Sequence, residues 1–152
     1  MNKNPKISII TVTFNGEKTI KDTIESVFSQ DYNNVEHIII DGKSTDGTID
    51  IVKSYGDKIS YFMSEQDDGI YDAMNKGIRA ATGDVIGVLN SDDFYPCNHI
   101  ISDVVKKFND HDTDSVYGDL VYVDTEQTDK VTRYWQSKHF SMAKIRKGWT
   151  LP

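Results

Sequence analysis

The chain has 152 residues, 38% hydrophobic and 27% charged, enough for one well-filled domain and too few for two. A net charge of -7 leaves no basic surplus to neutralise phosphates, which argues against nucleic-acid binding, and the single cysteine, Cys97, excludes an internal disulfide and fits a reducing compartment. The first six residues lack the apolar core of a signal peptide, and no apolar run is long enough to span a bilayer.

Residues 6–14 (KISIITVTF) are almost continuously β-branched and predict a central strand that ends at the turn signal Asn15-Gly16. Residues 17–30 predict a helix, with Ile20, Ile24, Val27 and Phe28 at helical spacing. Residues 35–40 (VEHIII) form a second strand ending at Asp41-Gly42, so the first ninety residues open with a right-handed β-α-β unit. Ser44, Thr45 and Asp46 are good N-caps for a short helix reaching Ser54, and residues 58–63 read as a third strand nearer an edge. After an acidic loop, residues 64–69, one helix face carries Ile70, Ala73, Met74, Gly77, Ile78 and Ala81, while Asp72, Asn75, Lys76 and Arg79 face away. Gly83 fits a glycine stop for that helix.

Residues 84–89 follow as a short apolar run that predicts a strand buried on both faces, ending at Asn90-Ser91-Asp92-Asp93. Residues 98–109 predict a helix with Ile101, Val104, Val105 and Phe108 inward. Residues 115–124 predict a strand with a bulge at Gly118, and residues 131–135 its hairpin partner. Residues 140–152 show no period, and the chain ends as a domain cut short would end.

Three strands therefore stop at polar clusters: Thr13-Phe14-Asn15, Asp41-Gly42-Lys43-Ser44 and Asn90-Ser91-Asp92-Asp93. A fourth cluster, Asp67-Asp68-Gly69, precedes a helix. In a parallel sheet they converge on the carboxyl edge, where open α/β folds bind ligands. Each cluster alone serves equally well as a cap or a solvated turn; their repetition favours a ligand crevice. Adjacent carboxylates such as Asp92 and Asp93 repel unless a cation compensates, and a hard divalent ion suits them. Neither the Gly-x-Gly-x-x-Gly fingerprint nor the P-loop follows the first strand, which excludes a standard dinucleotide or NTPase site. The pattern suits a nucleotide whose base meets carboxylates and whose diphosphate meets a metal.

Five segments carry a resemblance. They are residues 9–15 (IITVTFN), 23–30 (TIESVFSQ), 39–48 (IIDGKSTDGT), 67–77 (DDGIYDAMNKG) and 83–93 (GDVIGVLNSDD), and together they resemble the N-terminal part of a family 2 glycosyltransferase over roughly residues 6–125. The resemblance implies an α/β GT-A fold, Rossmann-like and three-layered, with a largely parallel central sheet forming a single nucleotide-sugar-binding domain over residues 1–152. It implies transfer of a sugar from a nucleoside-diphosphate donor, a UDP-sugar first, to a saccharide or lipid-linked acceptor. Inversion at the anomeric centre, Mn²⁺ or Mg²⁺ as cofactor, and surface-polysaccharide assembly in the cytoplasm at the inner face of the cell membrane come with it.

Residue by residue, the resemblance places Thr13, Asn15 and Glu17 along the nucleotide and Asp41 on the base, with Ser44 beside it. Asp68 falls on the base or ribose, and Asn75 and Lys76 fall near the donor. Asp92 and Asp93 match the family's Asp-x-Asp-like motif, with Asp93 on the metal; Ser91 stands where a first Asp is expected, leaving fewer carboxylates for the ion. The family's general base comes from a later segment. Within this chain Asp119 and Asp124 are the candidates, with a structural use as the competing reading. Lys138, Lys144, Arg146 and Lys147 around Phe140, Met142 and Ile145 fit peripheral contact with an anionic membrane or a lipid diphosphate. Two other readings stand beside the transferase. One is a non-catalytic nucleotide-sugar-binding module. The other is a sugar nucleotidyltransferase, against which the absence of a Gly- and Arg-rich loop after the first strand argues. A glycoside hydrolase is disfavoured, because adjacent Asp92 and Asp93 cannot flank a ring from opposite sides.

Overall fold

The computed structural model describes residues 4–111, 113–137 and 146. The chain divides into two compact units, Met1–His111 and Asp112–Pro152. The first unit holds β1 (Ile7–Thr13), α1 (Ile20–Phe28), β2 (Val35–Asp41), α2 (Thr48–Ser54), β3 (Tyr61–Ser64), α3 (Ile70–Ala80), β4 (Val85–Val88) and α4 (Ile100–Asp110). Its four strands form one all-parallel sheet in the order β3-β2-β1-β4.

That order follows from right-handed crossovers. The chain steps from β1 to β2 to β3 in one direction, then back across to β4 on the far side of β1. A fixed hand puts the crossover helices of the outward steps on one face and that of the return step on the other. The packing agrees. Ile7 and Ile9 of β1 meet Val27 of α1 and Ile101 and Val105 of α4. On the same face Ile39 meets Ile20, Ile24 and Val52 from α1 and α2. On the opposite face Ile10, Val12, Ile38 and Ile40 pack against Ala73 of α3. All seven residues of β1 are buried, as the β-branched run predicts for a central strand.

Two expectations need correction. The strand over residues 84–89 is not buried on both faces: among the described residues β4 is the edge of its sheet, and Ile86 and Val88 are each 44% exposed. A short apolar run does not reveal how many neighbours cover it. Gly83 is not a left-handed helix stop either. Helix α3 ends at Ala81 in an extended conformation, and Gly83 lacks a positive φ. Its value is close approach, since a Cβ there would stand 2.5 Å from Ser8 Oγ, 2.7 Å from Lys6 O and 2.8 Å from Ser8 N. Two of those atoms are backbone and cannot swing aside. Gly83→Ala is therefore expected to destabilise by about 1–3 kcal/mol, read as a lower urea midpoint at unchanged m-value; an unchanged midpoint would refute the close-approach role.

The same end of the sheet carries a buried carboxylate. Glu36 accepts hydrogen bonds from the Ser8 hydroxyl and from the backbone N–H and hydroxyl of Thr82, and it pairs with Lys6. Burial alone would raise its pKa; the Lys6 ammonium and these hydroxyl and amide donors outweigh that and take it down to about 2.

The second unit is described by a two-stranded antiparallel hairpin, β5 (Leu120–Val123) and β6 (Val131–Trp135). The hairpin was expected, but β5 is shorter than predicted, Gly118 precedes it, and the register irregularity lies at Tyr122/Val123. Arg133 stacks between the rings of Tyr122 and Trp135, 5.4 Å from each centroid. No described helix is long and apolar enough to cross a membrane. The basic tail, Arg146 apart, lies outside the described residues.

Candidate functional site

The strand order reverses between β1 and β4, and the carboxyl ends of strands at such a switch point are where open α/β sheets bind ligands. The β1 side supplies Thr13. The β4 side supplies residues 90–93. A Cβ on Gly16 would meet Thr13 Oγ1 at 2.6 Å and Ser91 Oγ at 3.3 Å, so the two loops close on each other across this glycine. Helix α1 reaches in as well. The Thr23 hydroxyl lies 2.9 Å from Ser91 O and 2.8 Å from Asp93 O, and its one proton is shared between those carbonyls. This clamp fixes the backbone that carries Asp92 and Asp93.

At the switch point, two buried polar atoms have no partner among the described residues. Thr13 Oγ1 and Asn90 Oδ1 are buried and unpaired among the described residues. Such orphaned groups are uncommon and costly, and a bound ligand or water is the usual reason for them. Asp93 is half-buried beside them. Burial first, and then the neighbouring Asp92 charge, push its carboxyl above the usual range; a 3.3 Å hydrogen bond from the Asn90 amide offsets this in part. No basic side chain among the described residues pairs with this carboxylate. Among the described residues no three acidic, His or Cys side chains gather into a ready-made metal cage. Asp92 and Asp93 fit an ion that draws its remaining ligands from water and from substrate phosphates, as Mg²⁺ and Mn²⁺ commonly do.

The other residues predicted at this edge divide by what they touch. Asn15 and Glu17 lace the first two rim loops together. Asn15, at φ +53°, accepts from Thr45 N–H at 2.9 Å and donates its own N–H to Ser44 Oγ, while Glu17 Oε2 accepts from Gly47 N–H and Glu17 N–H donates to Asp46. Asp41 is fully buried, and its carboxylate accepts from the Ser44 N–H at 3.0 Å, the Ser44 hydroxyl and the Ser64 hydroxyl at 2.6 Å. Both oxygens are thus engaged in fixing the turn after β2, and Ser44 is buried with them.

On the α3 wall, Asp68 is exposed and donates its backbone N–H to Asp72. Asn75 is exposed. The Lys76 ammonium is held by Glu65 at 2.9 Å, Asp72 at 3.1 Å and Gln66 O at 3.0 Å, in an open groove lined by Tyr61, Met63, Arg79 and Ala80. That groove flanks β3, two strands from the β1/β4 switch point.

Asp119 and Asp124 belong to the second unit. Asp119 accepts from the Tyr134 hydroxyl and from the N–H and hydroxyl of Ser137. Asp124 accepts from the N–H groups of Glu126 and Gln127 and pairs with Lys130. These bonds hold both carboxyls below the usual range, Asp119 mainly through Tyr134 and Asp124 mainly through Glu126. They brace the hairpin, and a general base needs the opposite, a free oxygen and a pKa that is not depressed.

Sequence reasoning gave no role of their own to Thr23 and, although it stands in one of the predicted rim clusters, to Phe14. Thr23 sits at helical spacing on a buried face and reads as core. Phe14, by contrast, is 64% exposed at the carboxyl end of β1, an aromatic side chain left in solvent at a crevice rim.

Comparison with known proteins identifies the family and the fold. Residues 8–152 match the profile of the family described as Glycosyl transferase family 2. An uncharacterised glycosyltransferase of Mycobacterium tuberculosis (strain H37Rv) is 36% identical over 107 residues, covering 70% of this chain and 41% of the relative. An uncharacterised glycosyltransferase of Rickettsia typhi is 39% identical over 97 residues, covering 64% of this chain and 30% of the relative. Among solved structures, residues 1–349 of Staphylococcus aureus TarS in complex with UDP-GlcNAc superpose with a TM-score of 0.66 at 27% identity, covering 72% of this chain and 32% of that one. A Pyrobaculum calidifontis mannosyltransferase in complex with GDP-Man and Mn²⁺ shares the fold, with a TM-score of 0.65 at 24% identity over 79% of this chain and 36% of that one. The chain spans less than half the length of these relatives. With a parallel sheet, polar groups gathered at its switch point and a family match over nearly its whole length, the chain belongs to glycosyl transferase family 2, with the GT-A fold.

Proposed function

We propose that the crevice between β1 and β4 binds a nucleoside-diphosphate sugar, with UDP-sugars first in order, and that the whole protein transfers the sugar to a saccharide or lipid-linked acceptor with inversion. The observation that carries this reading is the set of unmet groups at the switch point: the buried Thr13 Oγ1 and Asn90 Oδ1 without partners, beside Asp93 with its raised carboxyl. A diphosphate with its divalent cation supplies what that set lacks.

In this reading Asp93 holds Mn²⁺ or Mg²⁺, with Asp92 adding charge. The ion would spread the negative charge that develops on the departing diphosphate. Thr13 Oγ1 donates toward the donor, and Thr23 keeps the Asp92-Asp93 backbone in place from behind. Asn15, Glu17, Asp41 and Ser44 shape the rim rather than the ligand contacts, and Asp68 and Asn75 remain open to the ribose side. The proton of the acceptor hydroxyl goes to a base outside the described residues, since Asp119 and Asp124 are engaged in their own hairpin. A cytoplasmic site at the inner membrane face and a place in surface-polysaccharide assembly accord with a lipid-linked acceptor and belong to the same proposal.

Calorimetric titration of UDP into the chain, with Mn²⁺ and with chelator, tests it. Binding that requires the metal is expected. A folded sample that binds none of UDP, GDP or TDP would remove the reading.

A further inference from the structure

Residues 89–99, between β4 and α4, carry the two carboxylates Asp92 and Asp93 and have no helix or strand of their own. Their backbone is held instead by a polar stripe that runs down α1 and just past its end. Thr23, Ser26 and Gln30 recur at i, i+3 and i+7, the spacing that shares one helix face. Thr23 grips Ser91 O and Asp93 O. The Ser26 hydroxyl accepts from Tyr95 N–H at 3.1 Å. Gln30 uses both ends of its amide: Nε2 donates to Cys97 O at 2.7 Å and to Ser26 O at 3.1 Å, while Oε1 accepts from Ile101 N–H at 3.1 Å. That N–H lies in the first turn of α4, whose N-cap residue His99 makes no side-chain cap hydrogen bond. Gln30, distant in sequence, supplies the missing acceptor. Thr23 and Gln30 are buried. Polar side chains in such places cost stability unless they are bonded, and all three bond to the same segment.

We propose that Gln30 is a positioning residue for the metal carboxylate, and that its hold on the backbone at Cys97 sets how tightly the donor's cation is bound. This rests on the donor-site reading above. Two carboxylates on an irregular loop bind an ion well only when they stand in place before it arrives, and supporting hydrogen bonds supply that order. Thr23 fixes the loop at Asp93, and Gln30 fixes its far end and joins it to α4. The two ends of the amide divide this task. Oε1 anchors the helix, and Nε2 holds the loop. A glutamate at position 30 separates them, because a carboxylate still accepts from Ile101 N–H but has no proton to give to Cys97 O. Its negative charge also suits the N-terminus of α4. The segment carries its own reporter, since Cys97 is the chain's one cysteine and its thiol is free.

The test is the Mn²⁺ concentration that half-saturates UDP binding to the full chain, measured for the wild type, Gln30→Glu, Ser26→Ala and Gly83→Ala, together with the rate at which iodoacetamide alkylates Cys97. Gln30→Glu is expected to raise the half-saturating Mn²⁺ about 10-fold, the low end of what an outer-shell partner contributes to metal affinity. Excess Mn²⁺ should then restore wild-type UDP binding, because the carboxylates themselves remain. Alkylation of Cys97 should be faster in the same variant. Ser26→Ala, a smaller cut that keeps α1 intact, should move both readings the same way by less, and it carries the test if Gln30→Glu does not fold. Gly83→Ala serves as the control for stability alone, since it strains the opposite end of the sheet; it should change neither reading. A wild-type Mn²⁺ requirement in folded Gln30→Glu overturns the positioning role, as does an equal shift in Gly83→Ala; both leave the donor site standing. Unchanged alkylation in Gln30→Glu refutes the hold on the loop whatever UDP does. A folded wild type that binds no UDP with Mn²⁺ removes the donor-site reading, and the positioning role with it.

Discussion

Asp93→Asn is expected to weaken metal-dependent UDP binding at least about 100-fold, or about 2.7 kcal/mol, while making the ligand-free protein more stable. Loss of an outer-shell partner alone costs roughly 10–100-fold in metal affinity, so loss of the direct ligand proposed above would set that range as its floor. The gain in stability follows from the same carboxylate. Asp93 is half-buried against the charge of Asp92, and its pKa is raised. A raised carboxyl pKa means that the folded state holds the proton more tightly than the unfolded state does. Its ionised form therefore burdens the fold at neutral pH, and the burden fades as pH falls through the raised pKa. The amide removes the charge and keeps an oxygen for the Asn90 side chain. Titration gives the first quantity and urea denaturation without metal gives the second. A variant that binds UDP as tightly as the wild type takes Asp93 off the metal; one that is less stable shows that its charge is compensated within the protein.

The second large effect is acid lability centred on His37. The ring is 2% exposed, its Nε2 lies 2.9 Å from Thr11 Oγ1, its Nδ1 has no partner among the described residues, and Phe28 meets it edge-on at 6.0 Å. Burial lowers its pKa from 6.5 to about 4. The unfolded chain therefore takes up the proton first as pH falls. Stability is complete above pH 6.5 and is lost as pH drops toward 4, by about 3 kcal/mol over that window. Glu36, with its pKa lowered to about 2, adds a second loss below the ordinary carboxylate range, as pH falls from about 4.5 toward 2. Urea midpoints measured from pH 7.5 to 4 should fall steeply in the wild type. In His37→Gln, which keeps a polar atom for Thr11 and does not titrate, the upper part of the slope should flatten. A slope unchanged by that substitution assigns the lability elsewhere.

The sheet and its helices were legible because their signals are local. The β-branched run of β1, the helical spacing in α1 and the polar stops after β1, β2 and β4 each lie within a dozen residues, and they gave the strand direction and hence the edge where the crevice lies. What escaped depends on partners distant in sequence. The exposure of Ile86 and Val88 is set by what lies beyond β4, not by its own residues. The function of Gly83 depends on Lys6 and Ser8, more than seventy residues earlier. Asp41 and Asp93 look alike as residue types, and only the hydroxyls of Ser44 and Ser64 around one, and the charge of Asp92 beside the other, separate a braced carboxylate from a burdened one. Thr23 was invisible for the same reason, since a threonine on a buried helix face says nothing about the carbonyls it will meet.

The placement of β4 beside β1 has a consequence for how the protein is made. β1 is the most deeply enclosed strand and is made directly before α1 and β2, yet its second neighbour comes only with residues 85–88. At translation rates of roughly 5–20 residues per second, the seven residues of β1 wait on the order of 4–15 s with one edge unpaired and part of their apolar surface uncovered. The central strand is thus one whose pairing is completed only by the last strand of the described sheet, and the loop that carries Asp92 and Asp93 is reached just as that exposure ends.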